Sequence, residues 1–183
     1  MTVLRRNQGV DHEQPEDFAA FYAATRDGCL RAICATVGDP ELAEELVAEA
    51  FAKAFAHWRK LRRHPAPQAW VIRVALNTHV TWWRKRRREV AWDMDDPAHD
   101  RATAEGDASG PQTLDDGTMA ALLALPRRQR EVVALRVFLD LDNYYTAQAL
   151  GISPKTASTH LARAISALRV SLATEADRDR ISS

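Results

Sequence analysis

The chain has 183 residues, 25 of them basic and 25 acidic, and 46% of it is hydrophobic, enough to bury a core. Its two cysteines, Cys29 and Cys34, are too few for a disulfide-stapled secreted domain, and no apolar run approaches the roughly 20 residues of a membrane-spanning helix. The neutral total hides blocks of opposite sign, minus eight over residues 11–50, plus nine over 56–90, minus seven over 91–118 and plus four over 119–172. Such blocks suit a polyanion lying on the basic stretches, in a soluble, cytoplasmic protein.

Residues 15–36 are predicted to form a helix, with Phe18, Phe21, Tyr22, Leu30 and Ile33 near helical spacing. Gly38 ends it, Asp39 is placed to cap the next helix, and Pro40 suits that helix's first position. The second helix runs to about residue 58 and carries Leu42, Leu46, Phe51 and Phe55, with Glu41, Glu44, Glu45 and Glu49 gathered where the helix dipole favours them. Residues 59–67 read as a basic loop. A third helix over 68–88 carries Trp70, Ile72, Val74, Leu76 and Val80 and ends in Trp82-Trp83-Arg84-Lys85-Arg86-Arg87-Arg88.

Residues 91–117 are rich in Asp, Ala, Gly, Ser, Thr and Pro, without hydrophobic periodicity, and read as a flexible acidic linker. Shorter helices follow over 118–123, 127–138, 143–150 and 153–172, and residues 173–183 read as a polar tail. The predicted fold class is all-α: a helical domain over 12–90, the linker, and a smaller helical domain over 118–172.

Residues 143–169 have the pattern of a helix-turn-helix. Ala147 permits close packing, Gly151 supplies the turn, Ser153 can cap the second helix and Pro154 opens it. That helix is expected to expose Lys155, Thr156, Ser158, Thr159, His160 and Arg163, with Ile152, Leu161, Ile165 and Leu168 facing inward. Short polar side chains at a helix N-terminus reach base edges, and Lys or Arg holds phosphates. An amphipathic hairpin that merely packs is the plainer alternative. Against it, no carboxylate falls between Ser153 and Thr174.

In the first domain Trp82 and Trp83 adjoin a dense cationic run. Stacking on exposed bases contributes about 1–3 kcal/mol per base and tolerates sequence, which suits melted rather than duplex DNA. The alternative is one tryptophan in the core and a solvated basic helix end.

Taken together, the two domains resemble an extracytoplasmic-function sigma factor, the two-domain class of bacterial RNA polymerase initiation subunits. Ala43-Glu44-Glu45-Leu46-Val47-Ala48-Glu49-Ala50-Phe51 is similar to the family's polymerase-binding segment. Trp70-Val71-Ile72-Arg73-Val74-Ala75-Leu76-Asn77 and the following basic run resemble its −10 segment. Leu125-Pro126-Arg127-Arg128-Gln129-Arg130-Glu131-Val132 opens the second domain, and Leu150-Gly151-Ile152-Ser153-Pro154-Lys155-Thr156 fits its −35-reading helix-turn-helix. The resemblance implies core RNA polymerase and promoter DNA as partners, with an anti-sigma factor as a further candidate and no membrane. It implies polymerase binding through Glu45, Ala48, Glu49, Phe51 and Phe55. It implies −10 contacts from Arg62, Arg63, Asn77, Trp82, Trp83, Arg84, Arg86 and Arg87, and −35 contacts from Lys155, Thr156, Ser158, Thr159, His160 and Arg163. The chain departs from the family pattern at Glu45 and Ala48 (usually Asp and Gln), at Thr81 (usually Asp), at Tyr145-Thr146-Ala147 (usually Glu-Ile-Ala) and at Ala157 (usually Val).

A response-regulator type of helix-turn-helix protein is the chief rival, but the βα alternation of a receiver domain is missing upstream. Catalysis is not expected. There is no Gly-rich phosphate loop or nucleophile elbow, and the six histidines (His12, His57, His64, His79, His99 and His160) lack ligand spacing. Cys29 and Cys34 are expected to be small core hydrophobes rather than a metal or redox pair. No cofactor is expected.

Overall fold

The structure is a computed structural model that describes residues 13–90 and 115–181, with side chains over 16–83 and 115–174. The described residues form eight helices: α1 (Glu13–Val37), α2 (Pro40–Ala56), α3 (Trp58–Leu61), α4 (Pro67–Val90), α5 (Asp116–Leu123), α6 (Arg127–Phe138), α7 (Asn143–Leu150) and α8 (Pro154–Ile181). No helix among them is long and apolar enough to cross a membrane. Apart from Asp115 to Gly117, the linker expected over 91–117 lies outside the described residues, as does residue 12 of the first expected domain.

Local chemistry sets most boundaries. Gly38, at φ +78°, ends α1, and its N–H donates to Cys34 O at 2.8 Å. The Asp39 carboxylate then accepts from Leu42 N at 3.0 Å, capping α2 with Pro40 in its first turn. Asp115 does the same for α5, accepting from Thr118 N at 2.8 Å, so that helix starts two residues earlier than composition suggests.

Two elements differ from expectation. The start of the basic loop is helical: His57 interrupts α2, and Trp58 and Leu61 are buried anchors for the single turn of α3. The polar tail is not separate either, because α8 continues to Ile181. Beyond Pro154 that segment contains no Gly or Pro, and its Ala, Glu and Arg are good helix formers.

The N-terminal lobe, α1–α4, centres on Ile33, Leu46, Phe51, Val71 and Ile72. An aromatic group caps one end of it. The Phe18 and Phe55 rings lie 5.0 Å apart edge-on, Phe21 stacks on Trp58 at 4.9 Å, and Tyr22 meets Phe51 at 4.9 Å. These separations fall within the favourable range for ring pairs. The lobes also share a core. The cluster of the first lobe continues into Val132 and Leu135 of α6 and Leu150 of α7, and Ala35 of α1 joins Leu122, Leu125, Val133 and Ala164.

Candidate nucleic-acid interface

The helix-turn-helix is built from α7 and α8. Asp142 caps α7 by accepting from Tyr145 N at 2.7 Å. At its other end Gly151, at φ +66°, lets Ile152 N donate to Ala147 O at 3.0 Å and closes a Schellman turn. Ser153 Oγ accepts from Thr156 N at 3.0 Å, and Asn143 Nδ2 donates to Pro154 O at 2.8 Å, tying the start of α8 to α7. The N-terminus of α8 is therefore held in place by three separate bonds.

Lys155, Thr156, Ser158, Thr159 and Arg163 are all exposed on α8. Thr156 shares its hydroxyl with Ser153 at 2.8 Å, and Thr159 donates to Lys155 O at 2.9 Å. Among the described residues, Ser158 is the hydroxyl of this group that makes no such bond. Two expectations are corrected. His160 is half-buried, with Nδ1 enclosed and unpaired, so it is not an exposed contact. Ile165 is 39% exposed, whereas Ile152, Leu161 and Leu168 pack inward as expected, joined by the buried small residues Ala157 and Ala164, which let α8 approach its neighbours closely. The departures on α7 are covered to different degrees. Thr146 is fully buried and donates to Leu141 O at 3.5 Å, while Tyr145 turns toward the first lobe.

On the first lobe, Arg62 and Arg63 are exposed on the turn after α3, and Arg62 pairs with Asp17 at 3.0 Å. His64 Nδ1 accepts from Ala66 N at 3.0 Å and shapes the loop into α4. Asn77 is exposed on α4, one turn before Thr81, whose hydroxyl donates back to Asn77 O at 2.9 Å. The two tryptophans separate: Trp82 packs against the core, whereas Trp83 is 43% exposed. One tryptophan of the pair is thus in the core, as the plainer alternative has it, and the other lies partly exposed. The side chains of Arg84, Arg86 and Arg87 lie outside the described residues.

On α2, Glu45, Ala48 and Phe55 are exposed, Phe55 by 55%. Glu49 is half-buried and its charge is met by Lys53 Nζ at 2.6 Å. Phe51 corrects the expectation: it is 3% exposed and supports the surface from beneath. Sequence reasoning missed Phe18 and Tyr22, whose α1 rings adjoin Phe55 and Phe51; their 18-21-22 spacing was read only as a core stripe.

Across the lobes, α4 and α6 face one another. Glu131, 1% exposed, accepts from Arg127 Nε at 2.7 Å and Arg128 Nη1 at 2.9 Å. Burial, then the Arg127 guanidinium, holds the α4 residue His79 below the usual histidine pKa; Glu131 opposes this and Arg130 adds to it. Cys29 is fully buried and its thiol is pushed up to about 12 by burial, while Cys34 is half-buried, in keeping with packing roles for both.

Both lobes match known protein families. Residues 21–89 match the family Sigma-70 region 2, and residues 117–168 match Sigma-70, region 4. The RNA polymerase sigma-E factor of Streptomyces avermitilis is 30% identical over 162 residues, 88% of each chain. That of Streptomyces coelicolor is 31% identical over 157 residues, 85% of this chain and 86% of the relative. Among solved structures, the sigma factor RpoE of Bartonella quintana, in a co-crystal with the anti-sigma factor NepR, superposes with a TM-score of 0.72 at 21% identity, covering 86% of this chain and 97% of that one. The match over residues 21–89 also gives the first lobe a counterpart that a freestanding helix-turn-helix regulator lacks. The chain belongs to the extracytoplasmic-function sigma factors of the sigma-70 family, which direct bacterial RNA polymerase to promoters.

Proposed function

We propose that the two lobes divide promoter recognition between them, and that the chain works in the cytoplasm by binding alone, without covalent chemistry. The N-terminal turns of α8 read the −35 element in the major groove: Lys155 and Arg163 hold phosphates, and Ser158, with Thr156 and Thr159 beside it, meets base edges. The loop carrying Arg62 and Arg63, with Asn77 and Trp83 on α4, receives the melted −10 strand. A base leaving the stack costs a few kcal/mol, offset by stacking on Trp83 and by phosphate contacts from the basic end of α4.

Core polymerase is met by the outer face of α2. Glu45 and the Phe55 ring provide it, with Tyr22 and Phe18 extending its aromatic area and Phe51 fixing its shape. An acidic rim around exposed rings fits a basic partner surface. A relative seen with an anti-sigma factor makes such a protein a candidate regulator here too.

The observation that carries the reading is the exposed, carboxylate-free N-terminal half of α8, capped by Ser153 and latched by Asn143. The test is co-elution of the purified chain with core RNA polymerase at moderate salt, followed by promoter-directed transcription. A stoichiometric complex that initiates at defined promoters is expected. Retained duplex binding with no polymerase complex would overturn the reading in favour of a freestanding regulator.

A further inference from the structure

The facing sides of α4 and α6 enclose a cleft of about 360 Å³, within the roughly 300–1,000 Å³ of small-ligand sites. Arg73, Asn77 and Thr81, successive residues of one ridge of α4, stand on one side, with Arg127 and Arg128 of α6 on the other. Leu76 and Leu150, both almost fully buried, give it an apolar lining. Its charge is unbalanced. Among the described residues, three guanidiniums line it against one carboxylate, Glu131, a surplus of two positive charges. Both oxygens of that carboxylate are already engaged, Oε1 by Arg127 at 2.7 Å and Oε2 by Arg128 at 2.9 Å. A guanidinium carries five N–H donors, so each of these arginines keeps others for a second partner. Arg73 is exposed, and among the described residues no carboxylate meets it. Thr81 stands where the family pattern has Asp, so this chain puts a neutral hydroxyl, bonded to Asn77 O at 2.9 Å, on a wall that otherwise carries a negative charge.

We propose that this cleft binds a nucleoside diphosphate, with its phosphates between Arg73 and the Arg127–Arg128 pair and its base against Leu76 and Leu150. A diphosphate brings several negative charges to the surplus of positive ones, and its oxygens match the planar fork of a guanidinium. The Asn77 amide offers a donor and an acceptor side by side, the pattern that a base edge complements. A bare phosphate leaves the apolar lining in water, and a duplex exceeds the volume. The site touches the promoter reading at one residue. Because Asn77 lies both in the cleft and among the −10 contacts proposed above, a bound nucleotide excludes the melted strand from it; this consequence, unlike the site itself, rests on that reading.

Calorimetric titration of the free full-length chain with adenosine 5′-diphosphate (ADP) tests the site without polymerase or DNA. One ADP per chain is expected, bound more weakly as salt rises. Arg73→Ala should weaken it about tenfold or more, the loss expected of a charge-assisted hydrogen bond. Thr81→Asp, which restores the carboxylate of the family pattern, should weaken it similarly. Arg73 and Thr81 are both exposed, so helical content and Tm should stay as in the wild type. Adenosine and inorganic pyrophosphate, each lacking half of the ligand, should bind several-fold more weakly than ADP. No heat at millimolar ADP, or binding unmoved by Arg73→Ala, overturns the proposal. Pyrophosphate bound as tightly as ADP overturns the nucleoside assignment. In a second arm, ADP should displace from the chain a fluorescent single strand carrying the −10 element of a promoter it initiates from. ADP that binds and displaces nothing would overturn the exclusion and count against Asn77 as a −10 contact, while the titration would still stand if the promoter reading failed.

Discussion

Trp83→Ala and Trp82→Ala should fail in different ways. Trp83 is 43% exposed beside the basic end of α4, whereas Trp82 packs against the core. Stacking of one base contributes about 1–3 kcal/mol, or roughly a 5- to 150-fold change in affinity at about 1.4 kcal/mol per tenfold. In reconstituted holoenzyme, Trp83→Ala should weaken binding to a template melted in advance across the −10 element by that factor at fixed salt. Binding to the same duplex held closed at low temperature should stay within twofold, and the melting temperature should hardly move. Full burial of a tryptophan is worth about 3–5 kcal/mol against alanine, so half-burial at Trp82 should cost about 2 kcal/mol of stability. For a chain of this size that lowers Tm by roughly 4–8 °C. Equal loss by Trp83→Ala on closed and melted templates would refute the stacking role. So would a Trp82→Ala variant that abolished melted-strand binding at unchanged Tm.

Three other outcomes are expected. Replacing Lys155 and Arg163 together by Ala should weaken −35 duplex binding and flatten the slope of log affinity against log salt by about 1.8, for two lost phosphate contacts; an unchanged slope would place those charges away from DNA. Because His79 is held below its ordinary 6.5, the unfolded chain binds more protons just below that value, so stability should rise with pH through this window and be lost as pH falls. His79→Gln should flatten the trend in denaturant midpoints between pH 5 and 7.5, and a persistent slope would assign it to other groups. Finally, with its thiol pushed up to about 12, Cys29 should resist alkylation in the native chain at pH 8, with Cys34 reacting first; simultaneous labelling would contradict the burial of Cys29.

The local signals legible in the sequence were those that act within one helical turn. Asp39 with Pro40, and Ser153 with Pro154, mark helix starts because capping needs only three or four residues of context. Gly38 and Gly151 mark ends because each adopts a positive φ. The bounds of α7, between Asp142 and Gly151, follow from the same logic. What escaped was burial set by distant chain. Ile165 has the spacing of a core residue, yet it is exposed, and α8 rests on Ala157 and Ala164 together with Leu161 and Leu168. Phe51 and Phe55 look equivalent along α2, but Phe51 meets three α1 rings, Phe18, Phe21 and Tyr22, and joins the core, whereas Phe55 meets Phe18 of α1 and stays exposed. The union of the lobes was hidden because α1 is packed on more than one side, against α2 and α4 and also against α5 and α6, and such a helix shows no single apolar stripe.

The seat of α6 on α1 also has a consequence in time. Chains are made from the N-terminus at about 5–20 residues per second, and α6 begins 90 residues after α1 ends. The face of α1 around Gly28, Ala32 and Ala35 thus emerges from the ribosome roughly 5–20 seconds before its own cover exists. During that interval the surface is open to whatever can pair with it. A second protein competing for this face meets less resistance on the newborn chain than on the finished one, and synthesis itself sets the order of access.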